Sequence, residues 1–163
     1  MGSGKSAVGR TIAALLRLPF LDTDHMVEMA LGRSISQIFS QDGEEVFRRA
    51  ETLALQRLLV LPDCVVATGG GAVTRPENWE YMLASGLVVR LKVSPEESLR
   101  RTQDGTARPL LAGPNRLGRL RELQSGREPW YARAERWVES DGRSVQNVAQ
   151  EIIVLYEEWR NHP

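Results

Sequence analysis

Cysteine, histidine and lysine are all scarce in this chain of 163 residues. There is a single cysteine, Cys64, and two histidines, His25 and His162. One cysteine excludes an internal disulfide and fits a reducing cytosol. The two histidines are not spaced as metal ligands, and no Cys/His cluster exists for a zinc site. Net charge is lacking as well, with 21 Lys+Arg against 21 Asp+Glu. That balance argues against a protein that coats nucleic acid or an anionic membrane surface. No apolar run approaches the ~20 residues of a membrane span. No basic segment followed by an apolar one marks a secretory signal. What remains is a chain that is 42% hydrophobic, enough for a folded core and of a length for one domain. The expectation is a cytoplasmic protein. The shortage of lysine is the most useful of these absences, because Lys5 and Lys92 are the only two.

Helical and extended patterns alternate along the chain. Val8, Ile12, Leu15 and Leu16 share one helical face between Lys5 and Leu18. Pro19-Phe20-Leu21 reads as a short strand ending at Asp22-Thr23-Asp24, and a helix follows to Leu31. Gly32 to Asp42 reads as a turn-rich linker, and Glu44 to Leu61 as a strong helix. Cys64 to Ala67 is a β-rich run that stops at Thr68-Gly69-Gly70-Gly71. A helix over Glu77–Ala84, a strand over Leu87–Val93 and a helix from Pro95 to Thr102 come next. Gln103 to Asn115 reads as a loop. Helices are expected at Leu117–Leu123 and Trp130–Trp137, a weak strand from Val138, and a final amphipathic helix over Val145–Trp159. Strands separated by helices predict a three-layer α/β fold, a mainly parallel sheet flanked by helices.

Gly2-Ser3-Gly4-Lys5-Ser6 carries the end of the phosphate-loop pattern G-x-x-x-x-G-K-[ST]. Backbone N–H groups of such a loop wrap phosphate oxygens, aided by the N-terminus of the following helix. Lys5 would reach the outer phosphates, and the Ser6 hydroxyl would hold Mg²⁺. A chain that uses arginine almost throughout has lysine at the one place where this pattern requires it. The first glycine of the pattern falls before Met1, and the strand that feeds such a loop is not in the sequence. The expectation here is a natural chain that begins upstream, by a strand of ~5–6 residues and a short lead-in.

Asp22 and Asp24 sit two apart at a strand end, where extended backbone would point both carboxylates the same way. One could hold a metal through water and the other receive a hydroxyl proton. An acidic helix cap at Asp24 is the plainer alternative. Gly43 to Glu51 reads on its own as a solvated helix start. Gly69-Gly70-Gly71 after a β run exposes backbone N–H groups and permits close ligand approach. Arg108-Pro109-Leu110-Leu111 places an arginine on the 103–115 loop, where it could stabilise a transferring phosphoryl group. Arg127 precedes Glu128-Pro129-Trp130-Tyr131, and its guanidinium could bind a carboxylate bidentately.

Taken in order, Met-Gly-Ser-Gly-Lys-Ser at 1–6, Asp22-x-Asp24, Gly32-x-Ser34-Ile35, Gly43-Glu44-x-x-Phe47-Arg48-x-x-Glu51, Thr68-Gly69-Gly70-Gly71, Arg108-Pro109-Leu110-Leu111 and Arg127-x-Pro129-x-Tyr131 resemble shikimate kinase. The resemblance runs over nearly the whole chain. It implies a single domain of the nucleoside-monophosphate-kinase type, with about five strands in the family and the first, central one missing here. It implies ATP-dependent phosphorylation of the 3-hydroxyl of shikimate, on the route to chorismate and the aromatic amino acids. In that reading Gly2, Ser3, Gly4, Lys5, Ser6 and Ala7 bind the nucleotide, with Arg101 over adenine. Ser6 and Asp22 hold Mg²⁺. Asp24, Arg48, Gly69, Gly70, Gly71 and Arg127 bind shikimate, with Arg48 and Arg127 on its carboxylate. Lys5, Asp24 and Arg108 are the catalytic set. The acceptor region is about 24–53 and the lid about 103–115. Partners are shikimate and ATP alone, without nucleic acid or membrane, and the enzyme is a monomer.

Three positions depart from the family pattern: Ala7 where many members carry Thr, Ser144 near where a proline packs on adenine, and the shortened start of the loop. Two other functions compete. One is a related small-metabolite kinase such as gluconate kinase. The other is a shikimate-kinase-like binding protein without catalysis.

Overall fold

The computed structural model describes residues 2–102, 115–134 and 136–161. The 103–115 lid therefore lies outside the described residues except for Asn115, and so does Arg108.

Local chemistry marks several helix starts. Helix α1 (Lys5–Leu16) starts at Gly4, whose φ of 85° puts it in the left-handed region that glycine occupies without strain. Strand β1 (Phe20–Asp22) runs directly into α2 (Thr23–Leu31), and Asp22 is the cap: its Oδ1 accepts the Asp24 N–H at 3.1 Å. Helix α3 (Ile35–Gln41) occupies what reads in the sequence as a linker. Ser34 and Gln37 form a reciprocal capping box there, which satisfies two N–H groups of the first turn. Helix α4 (Glu44–Leu58) buries Phe47, Arg48, Glu51, Ala54, Leu55 and Leu58, a helical stripe with one ion pair inside it.

Strand β2 (Val65–Ala67) leads to the glycine turn, a 3-10 turn over Ala72–Thr74 and α5 (Pro76–Ser85). Strand β3 (Val89–Lys92) leads to α6 (Pro95–Arg101). Helix α7 (Arg116–Tyr131) is continuous where two separate helices are expected. It passes through Pro129, which forfeits one N–H bond close to the helix end. Residues 130–137 are not one helix: β4 (Arg136–Glu139) takes Trp137 into a strand beside β3. Helix α8 (Val145–Asn161) closes the chain.

The strands are parallel, as the alternation of helix and strand predicts. β1 pairs with β2, with Phe20 opposite Val65, and β3 pairs with β4, with Val89 opposite Arg136. Among the described residues these are two separate two-stranded sheets. Successive strand residues face opposite ways, and the core follows that rule. Val65, Val89 and Leu91 pack on a cluster of Val8, Ile12, Val138, Val148, Ala149 and Ile153. Val66 and Val88 pack on the other side, against Leu55, Leu58, Ala72, Val73, Trp79 and Met82. Helices thus cover both faces. A third cluster, Val27, Ile38, Phe47 and Ala54, binds α2 and α3 to α4. Strand ends and helix starts gather on one edge, where open α/β folds bind ligands.

Candidate active site

A cleft of about 770 Å³ opens on that edge. One wall is Gly2 to Val8 with Asp22, Asp24 and Thr68 to Gly70. The other is Glu97, Arg100 to Thr102, Ser140 and Gly142 to Val145. All six residues expected to bind nucleotide in the loop, Gly2 to Ala7, line it together with Arg101.

The loop is held from within and from across the cleft. Lys5 Nζ donates to Ser3 Oγ at 3.1 Å. Arg101 Nη1 donates to the Ser3 carbonyl at 3.3 Å and to Ser140 Oγ at 3.2 Å, and Nη2 donates to the Ser140 carbonyl at 2.5 Å. Its Nε is paired with Glu97 at 2.7 Å. Arg101 therefore ties α6 to the phosphate loop and to the segment after β4. Ser144 lines the same wall, and its Oγ accepts the Asn147 N–H at 3.2 Å at the start of α8.

Ser6 and Asp22 meet as the sequence reading requires. The Ser6 hydroxyl donates to Asp22 Oδ2 at 2.7 Å. Both are oxygen donors of the kind a small divalent cation takes alongside phosphates and water. No group of three or more His, Cys, Asp or Glu is arranged for a metal among the described residues. The Asp22–Asp24 pair differs in one respect from expectation. The strand ends at Asp22, so Asp24 is presented by the first turn of α2 and not by extended chain. Both still line the cleft, and Asp22, not Asp24, is the cap.

Beyond Asp24 the site becomes buried and charged. Arg48 is 8% exposed, and its Nη1 donates to Glu51 Oε2 at 2.8 Å. Nε and Nη2 donate to Glu44 Oε1 at 3.1 and 2.9 Å, which leaves further N–H groups on both terminal nitrogens. Glu51 is fully buried, and its Oε1 has no hydrogen-bond partner. Burial pushes the Glu51 carboxyl up from the usual range, against the pull of Arg48. The glycine turn is pressed onto these groups. A Cβ at Gly69 would collide with Glu51 Oε1 and Asp24 Oδ1, and one at Gly71 would collide with the Arg48 guanidinium. Only glycine lets the backbone come so close. The Gly69 N–H donates to Thr23 Oγ1 at 3.0 Å.

Arg127, on α7, is 9% exposed and makes no ion pair among the described residues. A buried guanidinium without a fixed counter-ion is costly unless an anion arrives to meet it. The structure thus brings Asp24, Arg48, Gly69, Gly70, Gly71 and Arg127 to one region beside the phosphate loop. The sequence names Glu51 and Tyr131 only as motif members with no role of their own, and Ser140 not at all; the structure sets Glu51 beside Arg48, Tyr131 against Gly70 and Ser140 under Arg101. For Glu51 a signal was present. Phe47, Arg48, Glu51, Ala54, Leu55 and Leu58 form a helical stripe, and a charged pair on such a stripe is buried.

Comparison with known proteins identifies the family. The family model described as "Shikimate kinase" matches residues 1–157. A shikimate kinase from Symbiobacterium thermophilum is 46% identical over 161 residues, covering 97% of this chain and 92% of that protein. One from Thioalkalivibrio sulfidiphilus is 46% identical over 157 residues, covering 96% and 83%. Among solved structures, the shikimate kinase from Acinetobacter baumannii in complex with shikimate superimposes with a TM-score of 0.91 at 40% identity, covering 95% of this chain and 87% of that one. The enzyme from Aquifex aeolicus gives a TM-score of 0.82 at 34% identity, covering 96% and 92%. The chain belongs to the shikimate kinase family.

Proposed function

We propose that this chain transfers the γ-phosphoryl group of ATP to the 3-hydroxyl of shikimate, giving shikimate 3-phosphate and ADP. Family membership makes it a phosphotransferase with an alcohol acceptor. The observation that carries the substrate reading is the adjacency of two unlike sites. A phosphate loop with Lys5 lies on one side of Asp24. Buried Arg48 and Arg127 with the glycine turn lie on the other. Phosphoryl transfer needs positioning and charge neutralisation more than covalent chemistry.

Each residue then has a task. Backbone N–H groups of Gly2 to Ala7 and the α1 N-terminus receive the phosphates, and Lys5 meets the outer two. Arg101, held by Ser3, Ser140 and Glu97, sets the nucleotide wall. Ser6 and Asp22 fit Mg²⁺ as ligands, which when bound would neutralise phosphate charge. Asp24 binds acceptor hydroxyls and takes the proton of the attacking one. Arg48, Arg127 and the glycine turn hold the carboxylate. Arg108 is assigned to the transferring phosphoryl from the sequence. The reading has a cytoplasmic monomer acting on two small molecules.

The test is ADP release with shikimate and with gluconate as acceptors. Turnover with shikimate and none with gluconate is expected; the reverse would sink the assignment. Lys5→Ala should lower phosphoryl transfer by about 10²–10³-fold, the scale of losing one charge-stabilising donor.

A further inference from the structure

The three glycine carbonyls of the 69–71 turn are held by three different partners. Ala72 N–H donates to the Gly69 carbonyl at 3.1 Å. Thr74 donates to the Gly71 carbonyl through its N–H at 3.1 Å and its hydroxyl at 2.8 Å. These two are local. The Gly70 carbonyl instead takes the Tyr131 hydroxyl at 2.7 Å, from the last turn of α7.

The placement of that one bond matters because the peptide unit is planar and trans. The Gly70 carbonyl and the Gly71 N–H belong to the same unit and point in opposite directions. A hydroxyl that fixes the carbonyl therefore turns the Gly71 N–H away from Tyr131. Gly71 lies directly against the Arg48 guanidinium. Arg127 stands one turn before Tyr131 on the same helix and interacts with the phenol oxygen.

We infer that Tyr131 is a positioning residue for the acceptor: through the Gly70 carbonyl it aims the Gly71 N–H, beside Arg48, at the acceptor carboxylate. The inference rests on reading Arg48, Arg127 and the glycine turn as the carboxylate site. The ring of Tyr131 has a separate role. It packs on the cluster of Leu55, Leu58, Trp79 and Met82, and Arg90 lies over its face at 5.0 Å. Tyr131→Phe thus removes one oxygen and keeps the ring contacts.

Steady-state kinetics and shikimate titration by calorimetry on the parent protein, Tyr131→Phe and Arg48→Ala decide the matter. Tyr131→Phe should raise the KM for shikimate about tenfold, the scale of an orphaned buried hydrogen-bond partner. Its kcat and its KM for ATP should stay within about twofold. Unchanged shikimate affinity in Tyr131→Phe, with affinity lost in Arg48→Ala, overturns the role of Tyr131 and leaves the carboxylate site standing. Both Michaelis constants rising together, or a Tyr131→Phe protein that does not fold, also overturns it, since the hydroxyl would then serve the fold. Retained shikimate affinity in Arg48→Ala removes the carboxylate site and the inference with it.

Discussion

Arg48 and Glu51 sit on the buried stripe of α4, where apolar residues are the rule. Two charges taken out of water are worth keeping only if their geometry serves something else. Here Glu51 uses one oxygen on Arg48 and leaves the other without a partner beside Gly69. The pair is therefore better explained by the carboxylate that Arg48 is proposed to hold than by stability. Arg48→Ala should weaken shikimate binding by ~2–5 kcal/mol, because the charged hydrogen bonds proposed between its guanidinium and the carboxylate are lost. Calorimetric titration checks this, and unchanged affinity would refute it. Glu51 also predicts a pH effect. Its carboxyl is raised in the folded protein by burial, so its neutral form is the one that folding favours. The associated stability is present below the unfolded carboxyl value of about 4.3 and is lost as pH rises through the higher folded value. Glu51→Gln, which cannot ionise, should therefore gain on the parent protein in urea-unfolding stability between pH 4 and pH 7. A constant difference across that range would exclude ionisation of Glu51 as the cause.

Helix α6 is short, but its charges reach both ends of the site. Ser94 caps it, and Glu97 accepts from Arg100 and Arg101 at 2.7 Å each. Arg100 first, then Arg101, hold the Glu97 carboxyl well below the usual range, at about 2. A depressed folded value contributes stability above the unfolded value of about 4.3, and that contribution is lost as pH falls from there toward about 2. Glu97→Gln should accordingly lower the neutral-pH plateau and flatten the acid limb over that window, meeting the parent protein near pH 2. An acid limb identical to that of the parent protein would show that these ion pairs carry no weight. Element by element, what could be read from the sequence tracks how apolar the buried face is. α1, α4 and α8 were readable because Val8, Ile12, Phe47, Leu55, Val148 and Ile153 repeat at helical spacing. α7 was not, because it buries only Leu120 and Arg127, and Pro129 reads as a stop. Contacts from elsewhere hold its last turn: Arg90 with Glu128 at 2.6 Å, and Tyr131 with Gly70. α3 reads in the sequence as a linker because glycine and polar residues surround it, although Ser34-x-x-Gln37 carries a capping-box signal.

At the scale of the whole molecule, α/β alternation is a property of the sequence, whereas strand pairing depends on contacts made only after folding. The candidate site divides the same way. Asp22-x-Asp24 and the loop could be recognised locally, while Tyr131 meets the glycine turn only because α7 packs back across it, and Arg127 is buried on the same helix. Among the described residues the two sheets are joined through shared clusters and not by a ladder. Val65 with Val89 packs on one side, and Val66 with Val88 on the other. The cleft spans this division, since Gly2 to Val8 with Thr68 to Gly70 face Arg100 to Thr102 with Ser140 and Gly142 to Val145. A ligand in the cleft therefore touches both parts at once. Where pairing is short, local opening is easier and amides exchange sooner. A ligand that binds only the assembled form raises the free energy of that opening in proportion to RT ln(1 + [L]/Kd). A nonhydrolysable ATP analogue should therefore slow hydrogen exchange across Val65–Ala67 and Val89–Lys92 together, although neither strand lines the cleft. At 100 times its Kd the protection should reach about 100-fold at amides that exchange by this opening. Protection confined to the phosphate loop, with both strands unchanged, would mean that the two sheets open independently of the site between them.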